Sequence, residues 1–167
     1  MPDPAWLPAL VCLDHYDGDW RRYVEAVYAV FHRDFIETQP KFQGCWVRVR
    51  RDPLEQGKEA GFWHCTSGGP NEATRVPEIR RMERIGWVRA VIEHSTEPSL
   101  DHWVRQQGSE ARWHLWFSEE FMVVLGERRR VRDGRRYFQL VTAFDTPLEH
   151  QKRKRRSERD HWRSVNG

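Results

Sequence analysis

The sequence has few cysteines, no long apolar stretch and no strong excess of either charge. Its three cysteines, Cys12, Cys45 and Cys65, form no CxxC pair and no Cys/His pair at zinc-finger spacing. A disulfide framework and a structural zinc site are therefore not expected. No apolar run approaches the roughly 20 residues of a membrane span, and the first residues lack the basic and apolar regions of a signal peptide. We expect a soluble, cytoplasmic chain without a membrane partner.

Sequence motifs of several enzyme classes are also missing. The chain contains no glycine loop of the Rossmann or Walker type, no GxSxG elbow and no HExxH pair. NTPases and hydrolases of those classes are therefore disfavoured. The hydrolytic chemistry that remains is RNA cleavage without a metal or cofactor, in which the 2′-hydroxyl attacks its own phosphate and the protein supplies a base, an acid and cations.

Aromatic residues are abundant for a chain of this size. Phe, Trp and Tyr make up 13% of 167 residues, including nine Trp, whereas all hydrophobic residues together reach only 38%. Because aromatic side chains each bury about 150–250 Å², a small aromatic core under a polar surface is expected. The length fits one compact domain.

The spacing of apolar residues predicts an α+β fold. From Trp20 to Phe35 they recur at helical intervals after the candidate caps Asp17 and Asp19, which predicts an amphipathic N-terminal helix. A short helix is expected from Pro77 and a basic, exposed helix from a capping box at Thr146 to Glu149. Alternation and β-branched residues predict a twisted antiparallel sheet of about four to six strands. The expected strands are residues 44–50, 58–66, 112–118, 121–127 and 137–144, with a further strand favoured at 85–93, an irregular connection over 94–108 and a hairpin at Asp133-Gly134.

Two clusters of basic residues predict contact with nucleic acid. Such runs neutralise phosphates and release counterions, although a solvated surface balanced by nearby carboxylates is the alternative. The net charge of +3 over the whole chain identifies no partner. The hairpin cluster comprises Arg128, Arg129, Arg130, Arg132, Arg135 and Arg136, and the helix cluster comprises Lys152, Arg153, Lys154, Arg155 and Arg156.

Candidates for chemistry gather between Lys58 and Arg84. His64, expected near the end of a strand, could act as a general base or acid, and Arg81 and Arg84 could stabilise a charged phosphorane. Glu83 could share proton transfer. A histidine beside aromatics is also typical of a structural residue, and the helix arginines could simply pair with Glu78 and Glu83. Cys65 follows His64, but we expect a buried thiol rather than a nucleophile.

The order of these segments resembles the phage-associated nuclease domains grouped with barnase, EndoU, colicin and RelE, the BECR superfamily. The resemblance covers roughly residues 41–162 and lies in Phe62-Trp63-His64, in the segment from Arg80 to Trp87, in the three later strands and in the basic helix. Gly86 stands where the family pattern has Pro. The resemblance implies an N-terminal helical segment at 1–40 on a ribonuclease domain at 41–167, which cleaves RNA without metal or cofactor.

The resemblance also implies site residues and partners. The catalytic set would be His64, Glu83, Arg84 and Thr142, whose hydroxyl would hold a phosphate or orient the base. RNA, including tRNA, would be the substrate, with a cognate inhibitor or immunity protein as a further partner. A catalytically silent RNA-binding module and a protein-interaction module stay open, and convergence of His64, Arg84 and Thr142 on one cleft distinguishes the enzyme from both. The substrate-binding residues would be Lys58, Arg81, Arg135, Arg136, Lys152, Arg153 and Arg155.

Overall fold

The computed structural model describes residues 2–167 and has the predicted α+β class. Short helical turns at Leu13–Tyr16, Arg33–Glu37 and Glu72–Thr74 lie between the longer elements. In chain order these elements are α1 (Trp20–His32), β1 (Lys41–Phe42), β2 (Cys45–Val49), α2 (Ala60–Thr66), β3 (Ser67–Gly68), β4 (Val76–Pro77), α3 (Ile79–Glu83), α4 (Ile85–Glu93), β5 (Leu100–Gln107), β6 (Glu110–Phe117), β7 (Phe121–Arg129), β8 (Arg136–Asp145) and α5 (Glu149–Asn166).

The main sheet of the described residues has six strands in the order β1-β2-β8-β7-β6-β5, and β3 pairs with β4 separately. All neighbours in the main sheet are antiparallel except β2 and β8, which run parallel with Val47 opposite Phe138 and Val49 opposite Leu140. The prediction of an antiparallel sheet is wrong at this pair. Short connections imply antiparallel neighbours, but most of the chain separates β2 from β8, so no turn fixes their direction.

One face of the sheet packs on α1 and α4. Asp19 caps α1 by accepting from the Arg22 N–H at 3.1 Å, and the buried side chains of α1 follow helical spacing, as predicted. Aromatic rings from α1 and strand residues such as Val47 and Phe138 belong to one buried cluster. Residues 1–40 therefore contribute, through α1, to the same core as the sheet.

The opposite face of the sheet carries a smaller cluster of Trp103, Trp116, Met122 and Val124, against which Trp162 of α5 packs. No residue of α5 is buried, in keeping with the exposed helix that was predicted. The helix begins at Glu149, and its N-cap is Leu148 rather than Thr146, the first residue of the predicted capping box. Thr146 is instead buried, and its hydroxyl accepts from Trp116 Nε1 and donates to the Glu119 carbonyl, so it cannot cap the helix.

Residues 58–66 do not form the predicted strand, because residues 60–66 form α2. Phe62, Cys65 and Thr66 are buried at helical spacing, and Gly61 lies against the end of β2. A Cβ at Gly61 would come within 3.1 Å of the Arg50 carbonyl oxygen. In so short a segment the apolar run alone does not separate helix from strand.

Two further predictions are wrong. Residues 85–93 form a helix, α4, which is buried almost all round, and its β-branched and Trp content therefore imitates a buried strand. The connection expected over 94–108 contains β5, an edge strand paired with β6 from Leu100 opposite Phe117 to Gln107 opposite Glu110. Its second half is polar and exposed, which removes the alternation that marks a strand.

Candidate functional site

His64 lies in the last turn of α2, and the sheet holds its backbone. The last residue of β8 that pairs with β2 is Leu140, and a little further along β8 the Thr142 hydroxyl donates to the His64 carbonyl at 2.8 Å. Nη1 of Arg81 donates to the same hydroxyl at 3.4 Å. Thr142 therefore fixes the position of α2.

The imidazole of His64 pairs with a carboxylate from the turn that follows β3. Its Nε2 lies 3.1 Å from Oε1 of Glu72, and Nη1 of Arg50 lies 3.4 Å from the same oxygen. Asn71 caps this turn, since its Oδ1 accepts from the Thr74 N–H at 3.1 Å. The Glu72 carboxylate thus joins an imidazole to a guanidinium.

A second guanidinium, that of Arg75, lies on the other side of the same loop. Its Nη2 donates to the Ser67 carbonyl at 3.2 Å, while its Nε is buried and has no hydrogen-bond partner among the described residues. Buried N–H groups without a partner are uncommon in folded proteins.

Burial and charge act together on His64. Partial burial lowers the pKa of the imidazole below its usual 6.5, and the positive charge of Arg75 lowers it further. The Glu72 carboxylate opposes both effects but does not outweigh them. His64 is therefore a neutral imidazole at pH 7, the form that accepts a proton.

These groups line an open cleft of about 320 Å³, the His64 cleft. Trp63 forms part of its wall, with its Nε1 donating to the Glu55 carbonyl at 2.9 Å. The cleft thus combines a neutral imidazole, two carboxylates, one guanidinium and an aromatic ring. Its main polar and aromatic side chains are those of Glu55, Trp63, His64, Ser67, Glu72 and Arg75.

Glu83 and Arg84 lie elsewhere. Arg84 lines a separate cleft with Arg80 and Lys152, where its Nη1 donates to the Arg80 carbonyl at 3.1 Å and its guanidinium stacks on Trp87. Oε2 of Glu83 lies 3.4 Å from Nη1 of Arg84, away from His64. His64, Arg84 and Thr142 therefore do not converge on one cleft, contrary to the expectation for the catalytic set. Glu83 and Arg84 follow α2 in sequence, but they lie at the end of α3, which places them away from His64.

Two of the expected substrate-binding residues have internal partners. The side chain of Lys58 is buried, and its Nζ lies 2.6 Å from Glu25 on α1, so this ammonium already has a carboxylate partner. Arg81 donates to the Ser67 carbonyl and to Glu78, both at 2.8 Å. Neither side chain lines the His64 cleft.

The basic clusters are largely paired with carboxylates. In the hairpin cluster, Arg136 lies 2.8 Å from Glu127, and Arg135 lies 3.8 Å from Asp133. In α5, Arg155 lies 3.1 Å from Glu158, whereas Arg153 is exposed and Lys152 lines the Arg84 cleft. The alternative of a balanced, solvated surface therefore describes much of both clusters.

Cys65 is buried, as expected, and burial raises the pKa of its thiol to about 12. A thiol in this state is not a nucleophile at neutral pH.

Sequence reasoning missed Glu72, Arg75 and Arg50. Glu72 and Arg75 fall in a stretch rich in turn residues, and Arg50 ends a strand, so neither periodicity nor motif marked them. The one available signal was Asn71, a residue type that favours helix caps and therefore indicates an ordered turn here.

Residues 2–167 contain neither a membrane-spanning helix nor a cluster of metal-ligating side chains. No helix in this range is long and apolar enough to cross a membrane, and no three His, Cys, Asp or Glu side chains are grouped so as to hold a metal ion.

Comparison with known proteins found no matching family model, no matching curated protein and no matching solved structure. The nuclease resemblance therefore stays a prediction that rests on the residues quoted for it.

Proposed function

We propose that the chain is an endoribonuclease that cleaves RNA in the His64 cleft by attack of the 2′-hydroxyl on the adjacent phosphate. The observation that carries the proposal is the neutral imidazole of His64, 3.1 Å from Glu72 and beside the guanidinium of Arg75. A base and a fixed cation in one cleft supply two of the groups that this reaction uses, and water supplies the acid.

His64 is the general base. Its Nδ1, the nitrogen left unprotonated when Nε2–H donates to Glu72, takes the proton of the 2′-hydroxyl as the 2′-oxygen bonds to phosphorus, and the bond from phosphorus to the 5′-oxygen breaks. The departing oxygen takes a proton from water at the open side of the cleft. The products are a 2′,3′-cyclic phosphate and a free 5′-hydroxyl. Glu72 orients the imidazole and stabilises its protonated form, the role of a carboxylate beside a catalytic histidine.

The catalytic set that the resemblance implied does not assemble, so the proposal uses a different set, in which Arg75 and Arg50 replace Arg84 as the cations. Negative charge grows on the non-bridging oxygens of the phosphorane, and a guanidinium remains charged and can grip two oxygens. Arg75 lines the cleft together with His64, and Arg50 lies within reach of the carboxylate that contacts His64. RNA, tRNA included, is the proposed substrate. We place the activity in the cytoplasm, and the resemblance adds a cognate inhibitor as its natural restraint.

The test is incubation of the purified chain with total RNA and with tRNA in EDTA, followed by analysis of the new ends. His64→Ala should slow cleavage by roughly 10² to 10⁴-fold, the range for loss of a general base. His15→Ala is the matched control, because His15 is exposed in the turn at Leu13–Tyr16 and lies outside the cleft. Equal activity of the two variants would remove His64 from the reaction.

A non-catalytic RNA-binding module is the second candidate. The observation in its favour is the separation of Arg84 from the His64 cleft, because the enzyme was expected to bring them together. This candidate predicts RNA binding by the wild-type chain and no new ends under any condition of the assay.

A further inference from the structure

A row of cations and rings runs along the face of β2 that points away from the core. Trp46 and Arg48 alternate there with the buried Val47 and Val49, so both side chains project from the same face. Trp46 is 49% exposed, the ammonium of Lys41 lies 4.4 Å from its ring centroid, and the guanidinium of Arg48 lies 5.0 Å from the ring of Tyr137.

The cations of this row differ from those of the basic clusters. Within residues 2–167, Lys41 and Arg48 form no ion pair with a carboxylate and face aromatic rings instead. Arg135 and Arg136 of the hairpin cluster have carboxylate partners. The charges of Lys41 and Arg48 are therefore not already balanced by carboxylates. These two side chains can bind phosphates, and so release counterions from the RNA, without breaking a salt bridge within the protein.

The row leads to the His64 cleft. Arg48 and Tyr137 line a groove of about 580 Å³, and Arg50 lines the same groove. Nη1 of Arg50 is also 3.4 Å from Glu72, which lines the His64 cleft. One arginine thus connects the groove to the cleft. One carboxylate, Asp52, lies in the groove wall.

We infer that this surface, formed by Lys41, Trp46, Arg48, Arg50 and Tyr137 and called here the β2 track, binds the single-stranded RNA that enters the His64 cleft. The inference rests on the proposed function for its substrate class. Single strands bind to proteins through positive grooves that follow the backbone and aromatic side chains on which bases stack. Alternate residues of a strand are about 6.6 Å apart, which presents cations at regular intervals to an extended chain of phosphates. A folded duplex hides its base faces and could not use Trp46.

The experiment measures binding of a fluorescent single-stranded RNA to the His64→Ala chain, which keeps the RNA intact. Trp46→Ala should weaken binding roughly five- to 150-fold, the cost of one lost base stack. Arg48→Gln should weaken it and reduce the slope of log K against log salt by about 0.7, the effect of one phosphate contact on a single strand.

Matched controls lie on α1, on the other side of the sheet. Trp20 is 43% exposed, close to the value for Trp46, and the neighbouring Arg21 is exposed like Arg48. Trp20→Ala and Arg21→Gln should leave RNA affinity and its salt dependence unchanged. Circular dichroism and the melting temperature of every variant show whether the fold is retained.

The outcomes separate the track from the enzyme. Equal affinities of track and control variants, or no RNA binding by the His64→Ala chain, overturn the track. If polyglutamate competes as well as RNA of equal charge, the surface selects an acidic polypeptide by charge, and the RNA assignment is overturned. If the track variants weaken binding but the wild-type chain yields no product, the track stands and the proposed nuclease activity is overturned.

Discussion

Removal of the Thr142 hydroxyl tests whether this residue holds α2 or holds substrate. Thr142→Val keeps the branched shape and deletes the donor that bonds the His64 carbonyl at 2.8 Å. The helix ladder stops close by, where the Ser67 N–H bonds to the Trp63 carbonyl, so the loss falls on the end of α2. A lost hydrogen bond that leaves a partly buried acceptor costs about 1–2 kcal/mol.

That cost is measurable in this chain. At its size, 1 kcal/mol corresponds to about 2–4 °C in melting temperature, so Thr142→Val should melt about 2–8 °C below the wild type. Thermal unfolding followed by circular dichroism at pH 7 measures the change. Thr142→Ser keeps the donor and should recover most of the loss. In the proposed enzyme, Thr142→Val should also lower kcat, because His64 moves with α2.

The affinity for a non-cleavable, 2′-O-methylated RNA completes this test. A role confined to α2 predicts that Thr142→Val binds this RNA as the wild type does. An unchanged melting temperature together with weakened RNA binding would refute the reasoning, since the hydroxyl would then contact substrate and not the helix.

Three other predictions concern charge and protonation. The activity should rise with pH along a limb whose pKa lies below 6.5, because the neutral imidazole of His64 is the active form. Arg75→Gln should shift this limb to higher pH in a pH–rate profile, because the variant removes one cause of the lowered His64 pKa. Lys58→Met should leave RNA affinity in a fluorescence titration unchanged, because its ammonium is buried against Glu25, and a loss of affinity would return Lys58 to the binding surface. Burial lowers the pKa of His114 to about 4, so the neutral side chain stabilises the fold above pH 6.5 and this stabilisation is lost as the pH falls toward 4. Between pH 6.5 and 4 the melting temperature of His114→Phe should therefore fall less than that of the wild type. An equal fall would contradict the assignment.

Long periodic segments were predictable from the sequence. The aromatic stripe of α1 repeats over several turns, and the strands of the β6 to β8 meander are long and joined by short turns. Local pattern and tertiary packing agree in these segments, so periodicity was sufficient.

The short buried segments were not predictable in the same way. α2 and α4 are apolar on most sides, and their helical state depends on packing that the sequence does not display, such as the approach of Gly61 to β2 and of Gly86 to Pro8. The parallel pairing of β2 with β8 joins distant parts of the chain, and no local signal sets its direction.

The candidate site shows the same limit. His64 was found because an imidazole is chemically distinctive, whereas Glu72 and Arg75 become recognisable only once the loop brings them to the imidazole. Arg84 was selected by nearness in sequence, and a few residues of helix place it in another cleft.

The most direct measurement of the central claim compares cleavage of one RNA and its fully 2′-O-methylated counterpart by the wild-type chain in EDTA. The account predicts that the unmodified RNA yields 2′,3′-cyclic phosphate ends, that the methylated RNA stays intact, and that His64→Ala leaves both intact on the same time scale. Cleavage of the methylated RNA, a requirement for a divalent metal, or full activity of His64→Ala would contradict it.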